Sequence, residues 1–160
     1  MVVKSLVCYP NSLLREISTK IEVFNSDFHA LVENLIDTML AEDSMGLAAP
    51  QIGELKRVFI LNPKRIAGNK SRNYQQEDIL CIVNPQIENQ DYLIDSSEGC
   101  LSFPGRRETV KRFNQVKLKA WNRQNQPFSL VAEGMLSILI QHEIDHLNGI
   151  LFIDRKMGNG

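Results

Sequence analysis

The chain has 160 residues, of which 43% are hydrophobic, and this size and composition are typical of one folded domain. Its 18 lysine and arginine residues nearly balance its 19 aspartate and glutamate residues, so no strong overall charge attracts nucleic acid or an anionic membrane. The start lacks a signal peptide and no apolar run is long enough to cross a bilayer, so we expect a single domain over 1–160, located in the cytoplasm, without membrane or nucleic-acid partners.

The first predicted element is an amphipathic helix within NSDFHALVENLIDTMLAED, at 25–43. Apolar residues recur there at helical spacing from Phe28 to Leu40. Asn25 or Ser26 provides a capping side chain at its start. We therefore expect an N-terminal helical region with one buried face.

Beyond position 46 the pattern changes to short runs rich in β-forming residues. The runs end at Asn, Pro or Gln, which indicates turns between strands. A polar segment at 65–78 separates the first two runs and is predicted to be a surface loop or a hairpin extension. The predicted strands are RVFILNP at 57–63, DILCIVNPQI at 78–87, NQVKLKAWNRQ at 114–124 and PFSLVAE at 127–133.

The last predicted element is a helix that begins at Gly134 and continues through MLSILIQHEIDHL. Its apolar residues lie on nearly every side, which indicates a buried helix. The order helix, strands, helix lacks regular β-α alternation and so indicates an α+β fold. We expect antiparallel β-sheets packed around this buried C-terminal helix, together with the N-terminal helical region.

The C-terminal helix carries an HExxH motif. His142 and His146 lie about one turn apart, so both imidazoles can reach one metal ion from the same helix face. Glu143 is adjacent and can act on a water at that ion. The alternative interpretation is a pair of hydrogen-bonded core histidines beside an unrelated glutamate.

A third metal ligand must come from upstream, because the chain after His146 offers neither the histidine nor the glutamate of the familiar HExxH proteases. Cys81 lies in an apolar strand and is expected to be an inert buried thiol, Cys8 is expected to pack, and His29 to be solvated. Cys100 differs, because it stands in the irregular stretch SSEGCLSFPG. One thiolate and two imidazoles would leave a fourth position open for water, as in a catalytic centre.

Three stretches carry a family resemblance: GLAAPQ at 46–51, EGCLS at 98–102 and QHEIDHL at 141–147. In sequence and order they resemble the three signature motifs of the peptide deformylase family, and the likeness spans nearly the whole chain. It implies a metal-dependent hydrolase that removes the N-formyl group from the N-terminal formyl-methionine of newly synthesised polypeptides and releases formate. It further implies one divalent metal ion per chain, with Fe²⁺ as the native ion and Zn²⁺, Ni²⁺ or Co²⁺ as alternatives, and transient proximity to the ribosome.

The resemblance also implies roles for individual residues. The metal ligands would be Cys100, His142 and His146, with Glu143 as general base and the Gln51 side-chain amide and Leu101 N–H as donors to the developing oxyanion. The peptide would lie as an added strand beside 46–51, with its methionine side chain in an apolar pocket. The substrate-binding candidates are Met45, Gly46, Leu47, Glu98, Gly99, Arg107, Met135, Ile138 and Leu139.

Several alternatives remain open from the sequence. Met135, Ile138 and Leu139 could equally be ordinary core residues of a buried helix. Ser44 stands where the family commonly has a glycine, which affects the expected peptide contacts. Two other functions compete: a protease that cleaves internal peptide bonds, and a non-enzymatic zinc module in which a fourth protein ligand closes the site.

Overall fold

The computed structural model describes residues 2–71 and 75–156. Helix α1 spans Ser26–Ala41, α2 spans Pro63–Ile66 and α3 spans Gly134–Leu147. The strands are β1 Gly46–Ala48, β2 Val58–Leu61, β3 Leu80–Cys100, β4 Phe103–Trp121 and β5 Pro127–Glu133. Short 3-10 helices lie at Ser12–Arg15, Ala49–Ile52, Gln76–Asp78 and Phe152–Arg155.

The strands form one antiparallel sheet in the order β1-β2-β3-β4-β5. The predicted α+β class with antiparallel strands is therefore confirmed, although a single five-stranded sheet takes the place of the expected plural sheets. None of the helices in the described part of the chain combines the length and the apolar character that a membrane span requires.

Helix α1 starts where its cap is satisfied. The side chain of Asn25 accepts a hydrogen bond of 3.0 Å from the backbone N–H of Phe28, which pairs one of the free donors of the first turn. One face of the helix is buried and packs against β1 and β2. The buried residues on this face are Phe28, Val32, Leu35, Ile36, Thr38 and Met39.

Strand β2 contributes side chains to two hydrophobic cores. All four of its residues are buried. Successive side chains of a strand point to opposite faces of the sheet, so both faces must be covered here. Val58 and Ile60 pack with α1, whereas Phe59 and Leu61 pack with α3. The sheet is therefore covered by α1 on one face and by α3 on the other.

The prediction that the central strands are short is wrong. Strand β3 has 21 residues and β4 has 19, and together they form a long hairpin that closes at Cys100 and Phe103. The predicted strands at 78–87 and 114–124 form only its open end. Its closed end was missed because polar residues occupy the inward positions there: Ser96 and Glu98 are buried while their neighbours face solvent. A search for alternating apolar residues does not detect such a strand.

The predicted loop at 65–78 is also more ordered than expected. Its start belongs to α2 and its end to the 3-10 helix Gln76–Asp78, while 72–74 lie outside the described residues.

A third, smaller core holds the chain end against the closed end of the hairpin. It consists of Leu14, Phe103, Leu151 and Phe152, with the half-buried Cys100 packed against it. The turn after α3 requires glycine, because Gly149 has φ +71° and an added Cβ would lie 2.3 Å from the carbonyl oxygen of Arg15. The N-terminal segment, the hairpin turn and the segment after α3 therefore meet next to Cys100.

Candidate active site

A cysteine and two histidines converge where the hairpin turn meets α3. Cys100 ends β3, and His142 and His146 lie one turn apart on the buried face of α3. Their ligand atoms all lie within 4.8 Å of one another, and the Cys100 Sγ is 3.4 Å from the His146 Nε2. Within 2–71 and 75–156, no fourth ligand-bearing side chain belongs to this group. The three side chains therefore form a Cys/His/His group that could hold a metal ion and would leave a position for water.

Behind these residues lies a buried network of charges. The His142 Nδ1 is 3.0 Å from a carboxylate oxygen of Glu98, which orients the ring and leaves its Nε2 for a metal. Arg112 donates two hydrogen bonds of 2.9 Å to Glu98 and one of 2.6 Å to Asp145. Asp145 is also bound by Arg155, at 2.6 and 2.9 Å. The network thus fixes β3, β4 and α3 relative to one another at the site.

Glu98 is a carboxylate despite its burial. Burial alone raises its pKa, but hydrogen bonds from His142 and Arg112 outweigh that effect and lower the pKa to about 2. Arg112 and Asp145 were not among the sequence-predicted site residues. The sequence does indicate that Arg112 faces inward, because it lies an even number of residues from Val110 and Val116, which are buried in β4.

Glu143 lies beside the three ligands and is 3% exposed. Among the described residues, its Oε2 has no hydrogen-bond partner. Burial raises the pKa of Glu143 to about 7, against the opposing charges of His142 and Arg112. A cation bound nearby would act in the opposite direction and lower this pKa. The Glu143 carboxylate is therefore available to exchange a proton with a bound molecule.

Gln51 presents a fixed donor toward the same group. Its Oε1 accepts a hydrogen bond of 3.0 Å from the backbone N–H of Ala48, which determines the orientation of the amide. Its Nε2 consequently lies 3.2 Å from the Ser102 Oγ and 3.6 Å from the Cys100 Sγ. Leu101 directly follows Cys100 in the hairpin turn and borders the same space. Both residues that were predicted to provide oxyanion donors thus lie beside Cys100.

A cavity of about 680 Å³ opens onto these residues. Its wall includes five of the nine predicted substrate-binding residues: Met45, Gly46, Gly99, Arg107 and Leu139. The other four do not line it. Leu47 is fully buried in the core beneath α1, Glu98 binds His142, Ile138 is buried, and Met135 is 47% exposed at the start of α3. Ile138 points about 100° around α3 from Leu139, whereas Met135 is on the same side as Leu139 but lies one turn earlier, at the exposed start of the helix.

Gly46 is required by close packing on its side of the cavity. A Cβ at this position would lie 2.6 Å from the Leu61 Cδ2, 3.2 Å from the Ile60 carbonyl oxygen and 3.4 Å from the Glu143 Oε1. Strand β2 and Glu143 therefore approach the backbone closely at this glycine.

The other sequence candidates for a third ligand lie apart from the group. Cys81 is buried in β3 on the α1 side, and burial raises the pKa of its thiol to about 12, so it stays protonated. Cys8 is half-buried in the cavity wall, and His29 is half-buried beside the ring of Phe28. None of these three belongs to the group of converging ligand atoms in the described residues.

We expect Glu98→Gln to weaken metal binding by about 10- to 100-fold, because it removes the charge that orients and polarises His142. Glu108→Gln is the matched control: Glu108 is the cross-strand partner of Glu98, but it pairs with Arg106 on the hairpin surface. Metal affinity measured by competition with a chelator checks the prediction. Equal affinities of the two variants would show that Glu98 does not support the ligand.

Comparisons with known proteins agree with one another. The sequence model of the family described as "Polypeptide deformylase" matches residues 3–159. A peptide deformylase of Helicobacter hepaticus is 38% identical over 151 residues, which cover 94% of this chain and 82% of the relative. A peptide deformylase of Helicobacter pylori is 41% identical over 155 residues, covering 97% and 86%. The crystal structure of a peptide deformylase from Legionella pneumophila superposes with a TM-score of 0.88 at 36% identity and covers 98% of this chain and 88% of its own.

Proposed function

The chain belongs to the peptide deformylase family, and from this premise we propose how its own residues carry out the family's reaction. It is a hydrolase that removes the N-formyl group from newly synthesised peptides. The observation that best supports the assignment of its site is the convergence of Cys100, His142 and His146 at the cavity, with Glu143 beside them.

The test of this function is formate release from a short formyl-Met peptide, with the metal content of the same preparation measured. The chain loaded with a divalent metal is expected to release one formate for each peptide consumed. No formate with any loaded divalent metal would contradict the function.

In the proposed mechanism, Cys100, His142 and His146 would hold one divalent cation. Bound there, the cation would supply Lewis acidity to the attacking water and to the formyl carbonyl. Glu143 takes a proton from the water at its Oε2, the carboxylate oxygen that has no partner among the described residues. After attack on the formyl carbon, Glu143 passes this proton to the leaving amine nitrogen of methionine.

Two donors act on the negative charge that develops on the formyl oxygen. The Gln51 Nε2 is held in place because its own carbonyl oxygen is bound to the Ala48 N–H. We assign the second hydrogen bond to the backbone N–H of Leu101. Donors that are fixed before the reaction cost no reorganisation when the charge appears, which is why such groups accelerate acyl transfer.

The peptide is proposed to bind beside β1, as a further strand of the sheet. Strand β1 lies at the edge of the sheet, and Met45 and Gly46 border the cavity on that side. Gly99 and Arg107 border it from the hairpin. We propose that Leu139, the candidate from α3 that reaches the wall, contacts the methionine side chain.

The native metal is proposed to be Fe²⁺, since a thiolate and two imidazoles suit several divalent ions and family resemblance favours iron. Activity of the iron form is then expected to decay in air and to persist under anaerobic handling or after Ni²⁺ replacement, because both Fe²⁺ and its thiolate ligand are oxidisable. Formate release followed over hours in air and under nitrogen, with metal content measured in parallel, checks this. Full air stability of a verified iron form would contradict the assignment of the metal and would leave the site unaffected.

Two rival functions receive less support. A protease with HExxH needs a further ligand after His146, and the segment 147–156 contributes none to the group of ligand atoms. A closed zinc module needs a fourth protein ligand, which the described residues do not bring to the group either.

We further propose that 1–160 form one catalytic domain, which the family match over 3–159 supports. We propose that the chain acts in the cytoplasm, near ribosomes, because formylated N termini emerge there.

A further inference from the structure

Strand β1 exposes one pair of backbone groups to the cavity. The Met45 carbonyl oxygen accepts a hydrogen bond of 2.8 Å from the Asn62 N–H, so the polar groups of Met45 point toward β2. Successive residues of a strand direct their N–H and C=O to opposite edges. The N–H and C=O of Gly46 therefore point away from β2, toward the open edge. The Ala48 N–H, two residues on, is also on this edge, where Gln51 binds it.

The hydroxyl of Ser44 occupies both polar groups of Gly46. Its Oγ donates a hydrogen bond of 2.9 Å to the Gly46 carbonyl oxygen and is 3.4 Å from the Gly46 N–H. Ser44 is itself held by its backbone N–H, which donates to the Met39 carbonyl oxygen at 3.1 Å near the end of α1. Ser44 and Gly46 both line the cavity. The open edge of β1 is thus capped by a side chain of the same chain.

We propose that Ser44 limits the affinity of the site for peptides, because its hydroxyl competes with the peptide for the backbone of Gly46. The inference rests on the proposed function, because it assumes that the formyl peptide adds as a strand at this edge. In an antiparallel pair, a residue with outward polar groups exchanges two hydrogen bonds with its partner. A peptide paired with Gly46 must therefore displace the Ser44 hydroxyl, which rotates away about its χ1 angle.

The cap weakens peptide binding without affecting the reaction. One intramolecular hydrogen bond contributes about 0.5–1.5 kcal/mol relative to water, which corresponds to a roughly two- to tenfold change in a binding constant. The Ser44 hydroxyl touches none of the groups assigned to proton transfer or to the oxyanion. Its removal is therefore expected to change KM and to leave kcat unchanged.

The test compares Ser44→Ala with the wild-type chain, using formyl-Met-Ala-Ser as substrate. Ser44→Ala is expected to lower KM by roughly two- to tenfold at unchanged kcat, and its melting temperature is expected to stay the same or to fall slightly. Ser44→Gly should behave like Ser44→Ala, because it also lacks the hydroxyl. Ser44→Thr retains the hydroxyl and should restore the wild-type KM. An unchanged or higher KM in both Ser44→Ala and Ser44→Gly would overturn the proposal.

A binding measurement separates this proposal from the function on which it rests. Calorimetric titration with the product peptide Met-Ala-Ser needs no turnover, and tighter binding to Ser44→Ala supports the cap even if no formate is released. Ser129→Ala is the control, because Ser129 is exposed on β5 and lies outside the cavity. Equal dissociation constants for wild type, Ser44→Ala and Ser129→Ala would overturn the proposal, whereas absence of formate from every chain would contradict only the function.

Discussion

Replacing Glu143 by alanine is expected to reduce formate release by about 10²- to 10⁴-fold, or roughly 3–5 kcal/mol of activation free energy, which is the usual contribution of a general base. The carboxylate is buried beside the three ligands, and one of its oxygens has no partner among the described residues. Because Glu143 is proposed to contact the water and not the ion, metal content should not change. Peptide binding should change much less than turnover.

Three measurements on the Glu143→Ala chain distinguish the proposed role from its rivals: formate release from a formyl-Met peptide, metal content and melting temperature. Glu143→Gln keeps the volume of the side chain and should show the same loss of turnover. Glu88→Ala removes an exposed carboxylate on the distant part of β3 and should leave turnover unchanged. If the metal is lost together with activity, Glu143 is a ligand; near-normal turnover would remove its role as a base.

Replacing Cys100 by serine is expected to remove most of the bound metal, and with it nearly all activity, because a neutral hydroxyl is a far poorer ligand than a thiolate. Cys81→Ser makes the same chemical change at a thiol that burial keeps protonated, in the core between the sheet and α1. It should retain one metal ion per chain, although a hydroxyl without a partner in that core is expected to lower stability by about 1–3 kcal/mol.

Metal stoichiometry is the decisive measurement for the cysteine pair, because it does not depend on turnover. Each variant is loaded under the same anaerobic conditions and its metal content is read by elemental analysis. Similar metal contents in Cys100→Ser and Cys81→Ser would mean that the third ligand has been assigned to the wrong residue.

The elements with apolar periodicity could be predicted from the sequence. The residues of β2 and β5 lie within the predicted strands. Side chains alternate in the part of β4 that was predicted, with Lys117 and Lys119 exposed and Leu118 buried between them. These segments bury apolar side chains at regular intervals, so their local pattern agrees with their place in the fold.

The buried charges that hold the site in place could not be predicted in the same way. Glu98 and Arg112 occupy inward positions of the hairpin, where charge is stable only because each is the partner of the other. That partnership joins residues 14 positions apart on two strands, and no local pattern specifies it. The candidate metal ligands could be identified from the sequence, because only a few residue types bind metal ions. The residues of the cavity wall could not, because they depend on how α3 is oriented in the fold.

The polar interior at the closed end of the hairpin also has a consequence for the order of folding. Near Leu118 the inner face of the hairpin is apolar, but near Glu98 it includes charges whose partners lie partly on α3. Glu98 and Arg112 gain nothing from hydrophobic collapse, and their charges are fully satisfied only after the helix has docked. We therefore expect the open end to form early and the end bearing Cys100 to become ordered in the last cooperative step. An incompletely folded chain would then not bring its thiolate next to the two histidines, so the reactive centre would exist only in chains that have completed folding.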